Sequence, residues 1–128
     1  MITAVSRENR YKTDIMGESA AITMDMPVAS GGSGEGLVPF ELLLSGFAAC
    51  LNITVRMLLD KKGVPYRQVK VTADEDRNKK PGAMIISWQA EIDGDIPEEE
   101  KQKYIARAFE KCPVHNALAG NIEFARDN

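Results

Sequence analysis

Cysteine, histidine and tryptophan are scarce in this chain of 128 residues, which has two Cys, one His and one Trp. Neither cysteine belongs to a CxxC pair and His115 has no HxxxH partner, so a zinc site has no ligand set to build on. An excess of one charge is missing too. The 19 acids and 16 bases are mixed along the chain and leave a net charge of −3, which argues against a nucleic-acid partner. No uncharged apolar run reaches the ~18 residues of a membrane helix, and "MITAVSRENRYK" lacks the apolar core of a signal peptide. A cytoplasmic protein without a membrane partner is the expectation. In a reducing compartment, two cysteines are either small buried hydrophobes or a transient redox pair, not a permanent staple.

What is present is an ordinary globular composition, 44% apolar and 27% charged, in a chain of single-domain length spanning 1–128. The first 26 residues read as three short strands, "ITAVS", "RYKTDIM" and "AAITMDM", with turns at "REN" and "GES". A glycine-rich loop, "VASGGSGEGLVP", follows and reads as flexible, beside a site or as a plain connector. Pro39 then opens a helix of about 24 residues that runs to Lys62, with Gly63 as its cap and Pro65 beyond. Leu42, Leu43, Leu44, Phe47, Ala48, Ala49, Cys50 and Leu51 cover every side of its middle, which predicts a helix buried all round. One small chain can hardly cover it, so a second subunit is expected against it.

Two strands come next, with Val69, Val71 and Ala73 facing one way in the first and Met84, Ile86, Trp88, Ala90 and Ile92 in the second. "EDRNKKPG" is read as their hairpin turn. From Pro97 a second helix carries Glu98, Glu99 and Glu100 in its first turn, and its core row of Tyr104, Ile105, Ala108 and Phe109 ends on Cys112. Pro113 stops it. A turn, "VHNALAG", and a last strand, "NIEFAR", complete an α+β order.

The chemistry turns on Cys50 in "FELLLSGFAACLNITVRMLL" and Cys112 in "EKCPVHNAL". Peroxide reduction by a thiol needs a thiolate, a cation to hold it and a second thiol to collect the sulfenic acid. The residues alone leave open whether these are inert core cysteines or such a pair. Arg7 and Arg10 of "SRENRYK" are the candidate cations, against their plain reading as part of a solvated turn. His115 reads as structural, Asn116 and Asn121 as groups that satisfy the final turn, and the six methionines as an adaptable apolar lining or core filler.

"PFELLLSGFAACLNITVRMLL" followed by "EKCPVHNALAGNIEF" resembles the OsmC/Ohr family of osmotically induced and organic hydroperoxide resistance proteins, in an ELLL-type branch. The resemblance covers nearly the whole chain. It implies an OsmC-like α+β fold of antiparallel strands around a long central helix, intertwined as a homodimer with active sites at the subunit interface. It further implies that Cys50 attacks an organic hydroperoxide, that Cys112 resolves it as a disulfide and that a dithiol such as dihydrolipoamide restores the thiols. No metal, haem or flavin cofactor is implied. Arg7, with Arg10 second, is the implied thiolate partner. The family's peroxidases place a glutamate ten residues before the reactive cysteine, where this chain has Phe40; its acid, Glu41, stands nine before. That offset rotates the carboxylate by about 100° on a helix, so Glu41 is either a displaced catalytic acid or a first-turn acid serving the helix dipole. Phe40, Phe47 and Arg10 are the residues expected to meet substrate. The rival reading is a catalytically silent dimer that binds a small apolar or thiol-containing ligand in the same cleft.

Overall fold

The computed structural model describes residues 1–76, 82, 84–120 and 122–127. Most of the connection expected at "EDRNKKPG", together with Asn121, lies outside the described residues. The chain divides into two compact units, Met1–Leu43 and Leu44–Asn128.

In the first unit, β1 (Thr3–Ser6), β2 (Thr13–Met16) and β3 (Ala21–Met24) form an antiparallel sheet in the order β1-β2-β3. The register pairs Ala4 with Ile15 and Ile15 with Ile22. This sheet has little core: Val5 and Ile22 are exposed, and only Met24 and Asp25 are buried among its described residues. The glycine-rich segment is a hydrogen-bonded loop that buried Asp25 organises. Asp25 accepts hydrogen bonds from the N–H groups of Met26 and Ser33 (2.7 and 3.0 Å) and from the Ser33 hydroxyl. Chiefly through that hydroxyl, its pKa is lowered to about 2. Gly32 is required there, since a Cβ would stand 2.0 Å from the Met26 carbonyl oxygen.

The helix α1 (Pro39–Lys61) is about 34 Å long at 1.5 Å per residue and bridges the sequence of both units. It ends as the sequence predicts, in a Schellman arrangement: Gly63 adopts φ 67°, with Gly63 N–H bonded to the Asp60 carbonyl and Val64 N–H to that of Leu59.

In the second unit, β4 (Gln68–Glu75) and β5 (Ile86–Asp93) pair antiparallel, with Val69 opposite Ile92, Val71 opposite Ala90 and Ala73 opposite Trp88. The alternation read from the sequence is thus the core face of this hairpin. Met84 falls outside the strand and is exposed. From α1, Phe47, Leu51, Val55 and Leu59 form a stripe at a spacing of four that joins Val69, Ile92, Ile105, Ala108 and Cys112 in one core. Each such large aliphatic side chain contributes roughly 1.5–3 kcal/mol by leaving water.

The middle of α1 is not buried all round within one chain: Ala49, Ile53 and Met57 form an exposed row, Met57 at 65% exposure. Only the stripe facing the hairpin and α2 (Glu98–Lys111) is covered, and composition alone does not say which side of an apolar helix meets its own chain. By length and apolarity α1 also passes for a bilayer-crossing helix. The closing strand expected at "NIEFAR" is corrected: residues 122–127 form no strand. The apolar residues there, Ile122 and Phe124, are exposed, and among the described residues no strand pairs with this segment.

Candidate active site

Pro113 creates the local geometry. It has no N–H with which to continue α2, yet its fixed φ suits the first turn of a new helix. The segment read as a turn is therefore a third helix, α3 (Pro113–Leu118), and Cys112 is both the last cap of α2 and the first cap of α3. Cys112 has extended backbone (φ −66°, ψ 113°), and its N–H bonds to the Phe109 carbonyl oxygen at 3.3 Å.

Both cysteines are free thiols. Cys112 has no solvent exposure, whereas Cys50 is half-buried and packs against the same core. Cys50 packs against the cluster that holds Cys112 and lies close enough to its sulfur to influence its titration. The backbone N–H groups of Val114 and His115, in the first turn of α3, also lie near that sulfur. Burial pushes the Cys112 pKa up, and the neighbouring Cys50 sulfur adds to the rise; the two backbone N–H groups oppose it without reversing it. On the other side, the Cys50 carbonyl accepts a hydrogen bond from Thr54 Oγ1 at 2.7 Å.

An aromatic cluster stands one helical turn from each thiol. Phe47 is three residues before Cys50, Phe109 three before Cys112, and His115 three after it. Trp88 stacks on Phe109 with centroids 4.7 Å apart, and Phe47 meets both rings edge-on at 6.3 and 6.4 Å. His115 stacks on the opposite side of the cluster at 3.7 Å from Phe109, its Nδ1 3.0 Å from that residue's carbonyl oxygen. These four rings, with Ile86 and Leu118, line a cavity of about 190 Å³. Sequence reading had assigned Phe47 to substrate but Trp88 and Phe109 to core alone. The signal for their joint role was the three-residue spacing around each cysteine.

The remaining candidates belong to the first unit. Arg7 Nε lies 3.8 Å from the Asp14 carboxylate with both side chains about half exposed, a weak pair. Arg10 occupies the turn after β1 with φ 44°. Glu41 Oε1 accepts the Val38 N–H at 3.3 Å, reaching back over the first turn of α1 as a helix-capping acid does. Phe40 is half-buried in that turn. The structure thus assembles Cys50, Cys112 and Phe47 in one core, and gives Glu41 a helix-capping contact.

Comparison with known proteins follows the same lines. The OsmC-like protein family matches residues 32–125. An organic hydroperoxide resistance protein-like 1 from Staphylococcus saprophyticus is 28% identical over 121 residues, covering 91% of this chain and 84% of that protein. Among solved structures, an OsmC-like protein from Mycoplasma pneumoniae superposes with a TM-score of 0.79 at 27% identity, over 94% of this chain and 86% of that one. The OhrB organic hydroperoxide resistance protein of Bacillus subtilis shares the fold, with a TM-score of 0.63 at 20% identity over 96% and 92% of the two chains.

Proposed function

Because the chain belongs to the OsmC-like protein family, we propose that it is a thiol peroxidase that reduces organic hydroperoxides through Cys50 and Cys112. The observation that carries this reading is the placement in one core of two free thiols from different parts of the chain, one half-buried and one sealed from solvent. The roles follow from that difference. Cys50 is open to a peroxide, and Cys112, its pKa raised by burial, stays protonated at neutral pH until the sulfenic acid forms.

In the first step the Cys50 thiolate attacks the hydroxyl oxygen of ROOH. An S–O bond forms, the O–O bond breaks, and the alkoxide leaves as ROH after taking a proton, so Cys50 becomes a sulfenic acid. Cys112 then attacks that sulfur, the S–S bond forms, and the departing hydroxide takes the Cys112 proton and leaves as water. A dithiol such as dihydrolipoamide returns both thiols by exchange and ends as its own disulfide. The cavity of Phe47, Trp88 and Phe109 takes the apolar group of the peroxide, since an alkyl chain gains by leaving water there.

In this reading Arg7 or Arg10 supplies the cation for the Cys50 thiolate, and Glu41 caps α1. The exposed row of Ala49, Ile53 and Met57, with the thinly covered first sheet, supports a homodimer in which a second copy covers both. Each copy contributes one OsmC-like domain over residues 1–128, in the cytoplasm. A silent dimer that binds an apolar or thiol-containing ligand is the second reading, favoured by Phe40, which stands ten residues before Cys50 where the family's peroxidases carry a glutamate. Counting free thiols before and after one equivalent of cumene hydroperoxide separates the two: rapid loss of two thiols supports the enzyme, and unchanged thiols support the binder.

A further inference from the structure

The basic cleft between the last turns of α1 and the outer face of α2 shares no residue with the aromatic cavity beside the thiols, and we propose that it is a binding site for an amphipathic anion, a carboxylate on an apolar body. The cleft encloses about 420 Å³, the size of a small-molecule site. Lys61, Lys62, Lys103, Arg107 and Lys111 line it, against one acid, Glu100. The concentration is not inherited from composition, because the chain as a whole carries a net charge of −3.

Helix chemistry explains only part of it. Lys61, Lys62 and Lys111 stand at helix C-termini, where the dipole favours cations. Lys103 and Arg107 stand earlier in α2 and form, with Lys111, a row of like charges at a spacing of four, which disfavours the helix. Lys103 is offset by Glu99 at 3.8 Å. Among the described residues Lys61, Lys62, Arg107 and Lys111 make no ion pair. A row of mutually repelling cations around a cavity is relieved by an anion inside it.

The apolar requirement comes from the other lining residues. Leu58 and Tyr104 are half-buried and form a floor against which a hydrocarbon body gains by leaving water. A bare inorganic anion would leave that floor wet, and a neutral chain would leave the cations unanswered. Leu58 is eight residues from Cys50, so the ligand would lie about 12 Å along α1 from the thiol.

Titration of the full-length reduced protein with decanoate, decanol and inorganic phosphate, followed calorimetrically and by backbone amide NMR, tests the proposal. Decanoate should bind, perturb the amides of 58–62 and 100–111, and weaken as salt is raised. Lys103→Glu with Arg107→Glu should reduce decanoate affinity about tenfold while leaving decanol unchanged. The milder Lys103→Gln with Arg107→Gln should show a smaller loss of the same sign and guards against a folding defect. Cys50→Ser should bind decanoate like the wild type, so the site stands or falls apart from the peroxidase reading. The proposal is overturned if decanoate fails to bind, if decanol binds equally well, if phosphate matches decanoate, or if the charge-reversed protein keeps full affinity.

Discussion

Replacement of Phe47 by alanine should be the costliest single truncation near the thiols. Phe47 is 3% exposed, belongs to the core stripe of α1 and meets Trp88 and Phe109 edge-on at 6.3 and 6.4 Å. Truncating a buried phenylalanine to alanine costs about 3–5 kcal/mol, from lost transfer energy and from the cavity left behind. Each aromatic pair adds about 0.5–1.5 kcal/mol beyond burial, which places Phe47→Ala toward the upper end of that range. The void would merge with the existing cavity of about 190 Å³, which Phe47 already lines, so collapse around it should be poor. Phe47→Leu keeps most of the volume and should cost about 1.5 kcal/mol or less. Urea unfolding of the reduced proteins at one protomer concentration measures this, with the midpoint falling and the slope held. In peroxide assays Phe47→Leu should raise KM for cumene hydroperoxide more than it lowers kcat, because it replaces an aromatic face of the cavity and leaves both sulfurs in place. A stability loss below about 1 kcal/mol for Phe47→Ala would refute the packing argument. An unchanged KM would refute the substrate role.

The other outcomes concern charge, capping and assembly. Asp25, with a folded pKa lowered to about 2 from 3.8, stabilises the fold above pH 4, and that contribution is lost as pH falls toward 2; Asp25→Asn should flatten this acid limb in pH-dependent unfolding. The Cys112 pKa is raised, so its contribution is present below the usual thiol pKa and is lost as pH rises through the folded value; Cys112→Ser should remove that alkaline decline. Glu41→Gln, which keeps an oxygen for the Val38 N–H, should hold peroxide turnover within about threefold and stability within about 0.5 kcal/mol. A loss of activity beyond tenfold would give the carboxylate a chemical role. Ile53→Lys with Met57→Glu should convert a dimer into a monomer by sedimentation, and a double variant that sediments as a dimer would remove α1 from the interface.

Much of this was legible in the chain because it depends on local chemistry. Pro39 and Gly63 bracket α1, the three glutamates after Pro97 open α2, and period-two alternation marks the hairpin whose Val69 and Ile92 meet in the core. Features that depend on distant partners were not legible. Nothing in "PVHNAL" distinguishes a stop from a stop followed by a new helix, because Pro113 serves both. Asp25 lies in "AAITMDM", which reads only as a strand; its burial depends on Ser33 folding back eight residues later. The leucine-rich middle of α1 showed that apolar surface exists on all sides, not which side its own chain covers. Within the candidate site the two cysteines could be named from the sequence, but their meeting in one core arises only when α1 and α2 pack on it.

The most direct test is mass spectrometry of the reduced protein after one equivalent of cumene hydroperoxide, with alkylation of the remaining thiols. The account predicts one intramolecular disulfide joining the Cys50 and Cys112 peptides, no alkylated cysteine, and in Cys112→Ser a Cys50 sulfenic acid that dimedone traps. Recovery of both cysteines alkylated and unoxidised would contradict it.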